Sequence, residues 1–91
     1  MAGGVIMSEN QIGVVVNYYV KAGVAAIKVT RGTITKGDIL KYKGHTTDFS
    51  EAVMSMEIEN QPVEKVQEGN LVGVKVNQRV REKDKVYRVD E

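Results

Sequence analysis

Few residues in this chain are equipped for acid–base or nucleophilic chemistry, and their spacing gathers none of them into a familiar constellation. The single histidine, His45, sits in the polar stretch Gly44–Ser50 together with Asp48. A hydrolytic triad would need His45 as base beside Ser8, Ser50 or Ser55, with Asp48 orienting the imidazole. A loop histidine making ordinary hydrogen bonds is the simpler reading. One histidine and no cysteine leave no ligand set for a catalytic zinc or a thiolate site, so no metal is expected. Glu57 and Glu59 are two residues apart and would share a strand face, as a catalytic carboxylate pair might require. With no cleft implied, they read as solvated surface. No glycine is followed by lysine, so the phosphate-cradling loop of a nucleotide hydrolase is missing and no GTP is expected on this chain. On these residues the chain reads as non-enzymatic and without cofactor.

Binding chemistry is better represented. From Val14 to Thr46 there are six basic residues (Lys21, Lys28, Arg31, Lys36, Lys41 and Lys43) against Asp38 alone. From Thr47 to Val72 the balance inverts, with six carboxylates against Lys65. The formal net charge is only +1, so no global field advertises a polyanion. Either the folded chain presents a basic and an acidic face, or the charges interleave as solvated strand exteriors. Lys28, Arg31, Lys36, Lys41 and Lys43, beside His45, are the candidate phosphate contacts. Tyr18 and Tyr19 are adjacent, so on a strand one points inward, and the outward one could stack a base.

The elements that must position these residues are strands. The apolar set is dominated by Val and Ile, which favour the pleated sheet. Gln11–Val20 is a β-rich run interrupted by Gly13, a residue expected at a bulge. Val24–Thr30 alternates, with Ala25, Ile27 and Val29 on one face. Gly32–Asp38 reads as a tight corner in which Gly37 takes φ > 0. Leu40 and Tyr42 are expected inward, and Gly44–Ser50 is expected to be an exposed loop. Met54, Met56 and Ile58 alternate with polar residues up to Pro62. Val72, Val74 and Val76 form a further strand, and Val86–Val89 closes the set. Six strands joined by glycine-bearing turns indicate an all-β barrel or sandwich. No apolar run reaches the roughly 18 residues of a membrane span, and the N-terminus lacks the features of a signal peptide. The expectation is therefore a cytoplasmic protein, with residues 1–9 a flexible lead-in and 10–91 one domain.

The order of the glycine turns carries a resemblance. Gly13-Val14-Val15, Gly23-Val24-Ala25, Gly32-Thr33-Ile34-Thr35-Lys36-Gly37-Asp38, Val53–Met56, Pro62–Val66 and Glu68–Val74 together resemble the second domain of translational GTPases such as elongation factor Tu. Gly44–Phe49 and Val80–Tyr87 are similar to the small elongation-factor-like barrels found alone or appended to collagenase-like peptidases that act in RNA modification. Lys83 departs from the glycine that translation factors place before the residue equivalent to Asp84, and the residues after Tyr18 depart from their compact first hairpin. The resemblance implies an all-β fold: a small closed six-stranded Greek-key-type barrel of the reductase/isomerase/elongation factor common-domain kind. It further implies a stand-alone module contacting tRNA or ribosomal RNA, or the translation machinery. The alternative is a docking module for a GTPase or an RNA-modification enzyme.

Overall fold

The structure, a computed structural model, describes residues 8–90. It contains β1 (Ser8–Tyr19), β2 (Val24–Val29), β3 (Thr33–Thr35), β4 (Ile39–Lys43), β5 (Asp48–Ala52), β6 (Met56–Ile58), β7 (Gln61–Val63), β8 (Lys65–Gln67), β9 (Leu71–Lys75) and β10 (Lys85–Asp90). Ser8 and Glu9, expected in a flexible lead-in, are the first residues of β1; the remainder of that segment lies outside the described residues.

Eight strands form one sheet in the order β5-β4-β10-β1-β2-β9-β6-β7, and β3 pairs with β8 in a second. Both sheets are open, so the expected closed six-stranded barrel is corrected to ten strands in two open sheets. The physical reason lies at the ends of the large sheet. A two-residue turn makes Ile58 and Gln61 the hydrogen-bonded pair of the β6–β7 hairpin, which leaves the Pro62 nitrogen on the free edge. Proline has no N–H to continue a ladder there. At the other end, the chain leaves β5 to bond the turn after β3 instead: the Val53 amide donates to the Asp38 carbonyl at 2.8 Å, and the Gly37 amide donates to the Val53 carbonyl at 2.9 Å.

β1 joins the two halves of the large sheet. It pairs with β10 on one side and β2 on the other, with a register shift between Gln11 and Gly13 against β10 and another between Val15 and Asn17 against β2. Such bulges coil a strand. The first falls beside Gly13, as expected, and a Cβ there would stand 2.6 Å from the Lys28 carbonyl oxygen, so only glycine lets β1 and β2 approach so closely.

Alternation supplies the core. Ile12, Val15, Ile27, Val29, Ile34, Leu40, Tyr42, Met56, Val66, Val72, Val74, Val80 and Val86 are buried in one cluster, each such side chain contributing roughly 1.5–3 kcal/mol against exposure. Tyr42 stacks on its cross-strand partner Phe49 with ring centroids 4.9 Å apart. Ile34 and Val66, paired across the small sheet, close the core from that side. Met54 does not join Met56 inside but is 64% exposed. The chain bends between β5 and β6, and Val53 takes the buried position instead.

One turn design recurs three times. In Thr35–Asp38, Gln67–Asn70 and Arg81–Asp84 the fourth residue's amide donates to the first residue's carbonyl. In return, the fourth residue's side chain accepts the first residue's N–H at 2.8, 2.9 and 2.8 Å. The third residue has φ of 99° at Gly37, 97° at Gly69 and 78° at Lys83, the signature of a type II turn. The departure at Lys83 therefore leaves the turn intact and places a lysine in the left-handed region. Asp84 is buried and lies against Gly44, where any Cβ would collide with its carboxylate.

Candidate functional site

The outward faces of β2, β9 and β6 build a shallow trough. Register places Tyr19 opposite Val24, Ala26 opposite Gly73, and Gly73 opposite Glu57. Because side chains alternate, these residues point to the same side of the sheet, and the two smallest, Gly73 and the 7%-exposed Ala26, are neighbours at its centre. The resulting depression encloses about 420 Å³, within the range of ligand-sized sites. Tyr19, 53% exposed, and Leu71, 54% exposed, flank it. Glu57 on β6 and Glu59 in the β6–β7 turn supply its acidic rim. Glu59 and Asn60 occupy that turn with φ of 50° and 65°, the geometry of a two-residue hairpin loop, rather than continuing the strand.

The residues singled out for chemistry do not assemble. His45 is exposed on the turn between β4 and β5, and the Asp48 carboxylate faces Lys43 Nζ at 2.9 Å. That hydrogen bond and charge hold Asp48 below the usual carboxylate range and raise Lys43. Among the described residues no three His, Cys, Asp or Glu side chains gather as a metal could require.

The basic candidates are dispersed and largely answered locally. Lys41 faces Glu9 at 3.3 Å, Lys36 faces Glu64 at 3.9 Å, and Lys28 donates to the Gly69 carbonyl at 3.1 Å. Arg31 lies in the turn after β2, beside Arg88 in a separate polar hollow. Of the two tyrosines, Tyr18 is half-buried with the Arg79 guanidinium 5.9 Å from its ring centroid, and Tyr19 is the outward one. The trough escaped the sequence reading. Its signal is small residues on the outward face beside large apolar ones (Val24 and Ala26, Leu71 and Gly73), and only the pairing register brings them together.

No family model matches the chain. A Methanocaldococcus jannaschii protein described as an uncharacterized protease is 43% identical over 82 residues, which are 89% of this chain and 20% of that protein. Two collagenases of Porphyromonas gingivalis are 31% identical over 83 and 88 residues, covering 90% and 96% of this chain and 23% and 21% of theirs. Among solved structures, the C-terminal domain of a Geobacillus thermoleovorans protein described as a U32 peptidase superposes with a TM-score of 0.78 at 18% identity, covering 88% of this chain and 91% of that one. At that identity the likeness is one of fold. The chain spans about a fifth of the length of the curated relatives it matches.

These relatives overturn the translation-factor reading. The chain is similar to proteases and collagenases, so the expected elongation-factor identity, the non-enzymatic character and the partners tRNA, ribosomal RNA, GTPase or RNA-modification enzyme are all corrected toward a peptidase setting. The physical reason is that the shared glycine motifs are turns. Gly37-Asp38 and Gly69-Asn70 are demanded by φ > 0 and by the side-chain cap, and such residues report a fold that several functions can use. The basic stripe, for its part, is interleaved with carboxylates in space.

No helix among the described residues is long and apolar enough to cross a membrane.

Proposed function

We propose that this chain is a working part of a collagenase-like peptidase and that it engages unfolded protein substrate for that activity. The observation that carries the reading is the alignment of 96% of the chain with a collagenase at 31% identity. The trough gives the reading a physical form. A collagen-like segment is extended, rich in glycine and proline, and has few large side chains to fill a deep cavity. A shallow, open surface floored by Ala26 and Gly73 and flanked by Tyr19 and Leu71 suits such a chain. A cytoplasmic location is a separate proposal, motivated by the sequence: a chain without cysteine needs no oxidising conditions.

The test is a titration of fluorescein-labelled gelatin with the chain, followed by anisotropy. Saturable binding that unlabelled gelatin displaces is the expected result. A flat titration at low and at physiological salt would overturn the reading.

A further inference from the structure

Two carboxylates, Glu57 and Glu59, stand over the trough. Glu57 is paired in register with Gly73, so its side chain rises beside a floor position that has no side chain at all. Glu59, in the adjoining turn, lines the same depression. Neither belongs to any ion pair among the described residues.

The nearest lysines on these strands are otherwise engaged. Lys75, opposite Val24, donates from Nζ to the Ala22 carbonyl at 2.6 Å. Lys28, opposite Leu71, donates to the Gly69 carbonyl at 3.1 Å. Both Nζ atoms are committed to backbone oxygens; Lys75 lines a neighbouring depression together with Glu57 but makes no ion pair with it. An apolar floor with a negative rim discriminates by charge among the peptides that could lie on it.

We infer that the trough is a subsite for a cationic segment of the substrate: an apolar residue rests on Ala26 and Gly73 while a neighbouring lysine or arginine reaches Glu57 and Glu59. This rests on the substrate-engaging role proposed above and specifies which segments are engaged. Apolar burial supplies an attraction common to many peptides, and the carboxylates select among them. An anionic peptide meets two like charges and is rejected. The selectivity fades as salt screens the exposed pair, whereas the apolar component persists.

The experiment compares two labelled peptides of equal length on a glycine–proline background, one carrying leucine–arginine pairs and the other leucine–glutamate pairs, with gelatin as a third probe. At low salt the arginine peptide is expected to bind about tenfold more tightly than the glutamate peptide, the yield of two exposed charge pairs. Glu57→Lys combined with Glu59→Lys should reverse that order, and Leu71→Ala should weaken both peptides together. All three positions are exposed, and circular dichroism checks that the variants remain folded. Equal binding of the two peptides, or an unchanged preference in the double variant, would overturn the inference; if the wild type still binds gelatin, the substrate-engaging reading survives it. Wild-type protein that binds neither gelatin nor peptide would overturn both.

Discussion

Lys83 holds a backbone conformation that a lysine adopts at a cost. It is exposed, with φ of 78°, in the same turn that Gly37 and Gly69 make with glycine. Lys83→Gly should therefore stabilise the protein by about 1 kcal/mol in urea unfolding, whereas Gly37→Val, forced to φ of 99°, should destabilise it by about 1–3 kcal/mol. Gly44→Ala should also destabilise, for a different reason: its methyl group would displace the buried Asp84 carboxylate from the Arg81 amide. Tyr42 sets an alkaline limit. Burial, reinforced by the negative charge of Glu51, raises its hydroxyl well above the ordinary tyrosine value. The unfolded chain then loses its proton first, so stability contributed by neutral Tyr42 is complete below about pH 10 and declines as pH rises past it. Unfolding free energies measured from pH 8 upward should show this decline in the wild type and a shallower one in Tyr42→Phe.

At the scale of the element, period-two alternation is readable in β2, β4 and β9. Leu40 and Tyr42, Val72 and Val74, and Ala25, Ile27 and Val29 are buried as the pattern requires. β3, β7 and β8 have three residues each, too few for a period to show. β5 was hidden because Asp48, Ser50 and Ala52 face solvent and its inward residues are only half-buried. Met54 was misplaced because alternation cannot be carried across a bend. The trough could not be read at all: it depends on which residue of β9 faces which residue of β2 and β6, and no local signal fixes that register. Pro62 illustrates what an isolated residue type can say. It marks the point where pairing stops, and a short, proline-bearing edge resists joining another chain. Pro62→Val should restore the donor on that edge and raise self-association, seen as a concentration-dependent increase in sedimentation coefficient.

Across the whole molecule, the turns that made the chain resemble a translation-factor domain are backbone features of its fold, while the relatives it matches are described as a protease and collagenases. Each turn is forced by geometry, so the pattern identified a scaffold and left open the work done on it. The charge pattern misled in a similar way: a run of lysines along the sequence becomes, in space, a set of pairs with Glu9, Asp48 and Glu64. The acidic rim beside Ala26 and Gly73 takes part in no ion pair among the described residues. The most direct test of the substrate-engaging role is a titration of isotope-labelled protein with gelatin, followed residue by residue through amide chemical shifts. The account predicts perturbations concentrated at Val24, Ala26, Leu71 and Gly73, with Lys41 and Lys43 unmoved. An absence of shifts throughout, or shifts confined to β4, would contradict it.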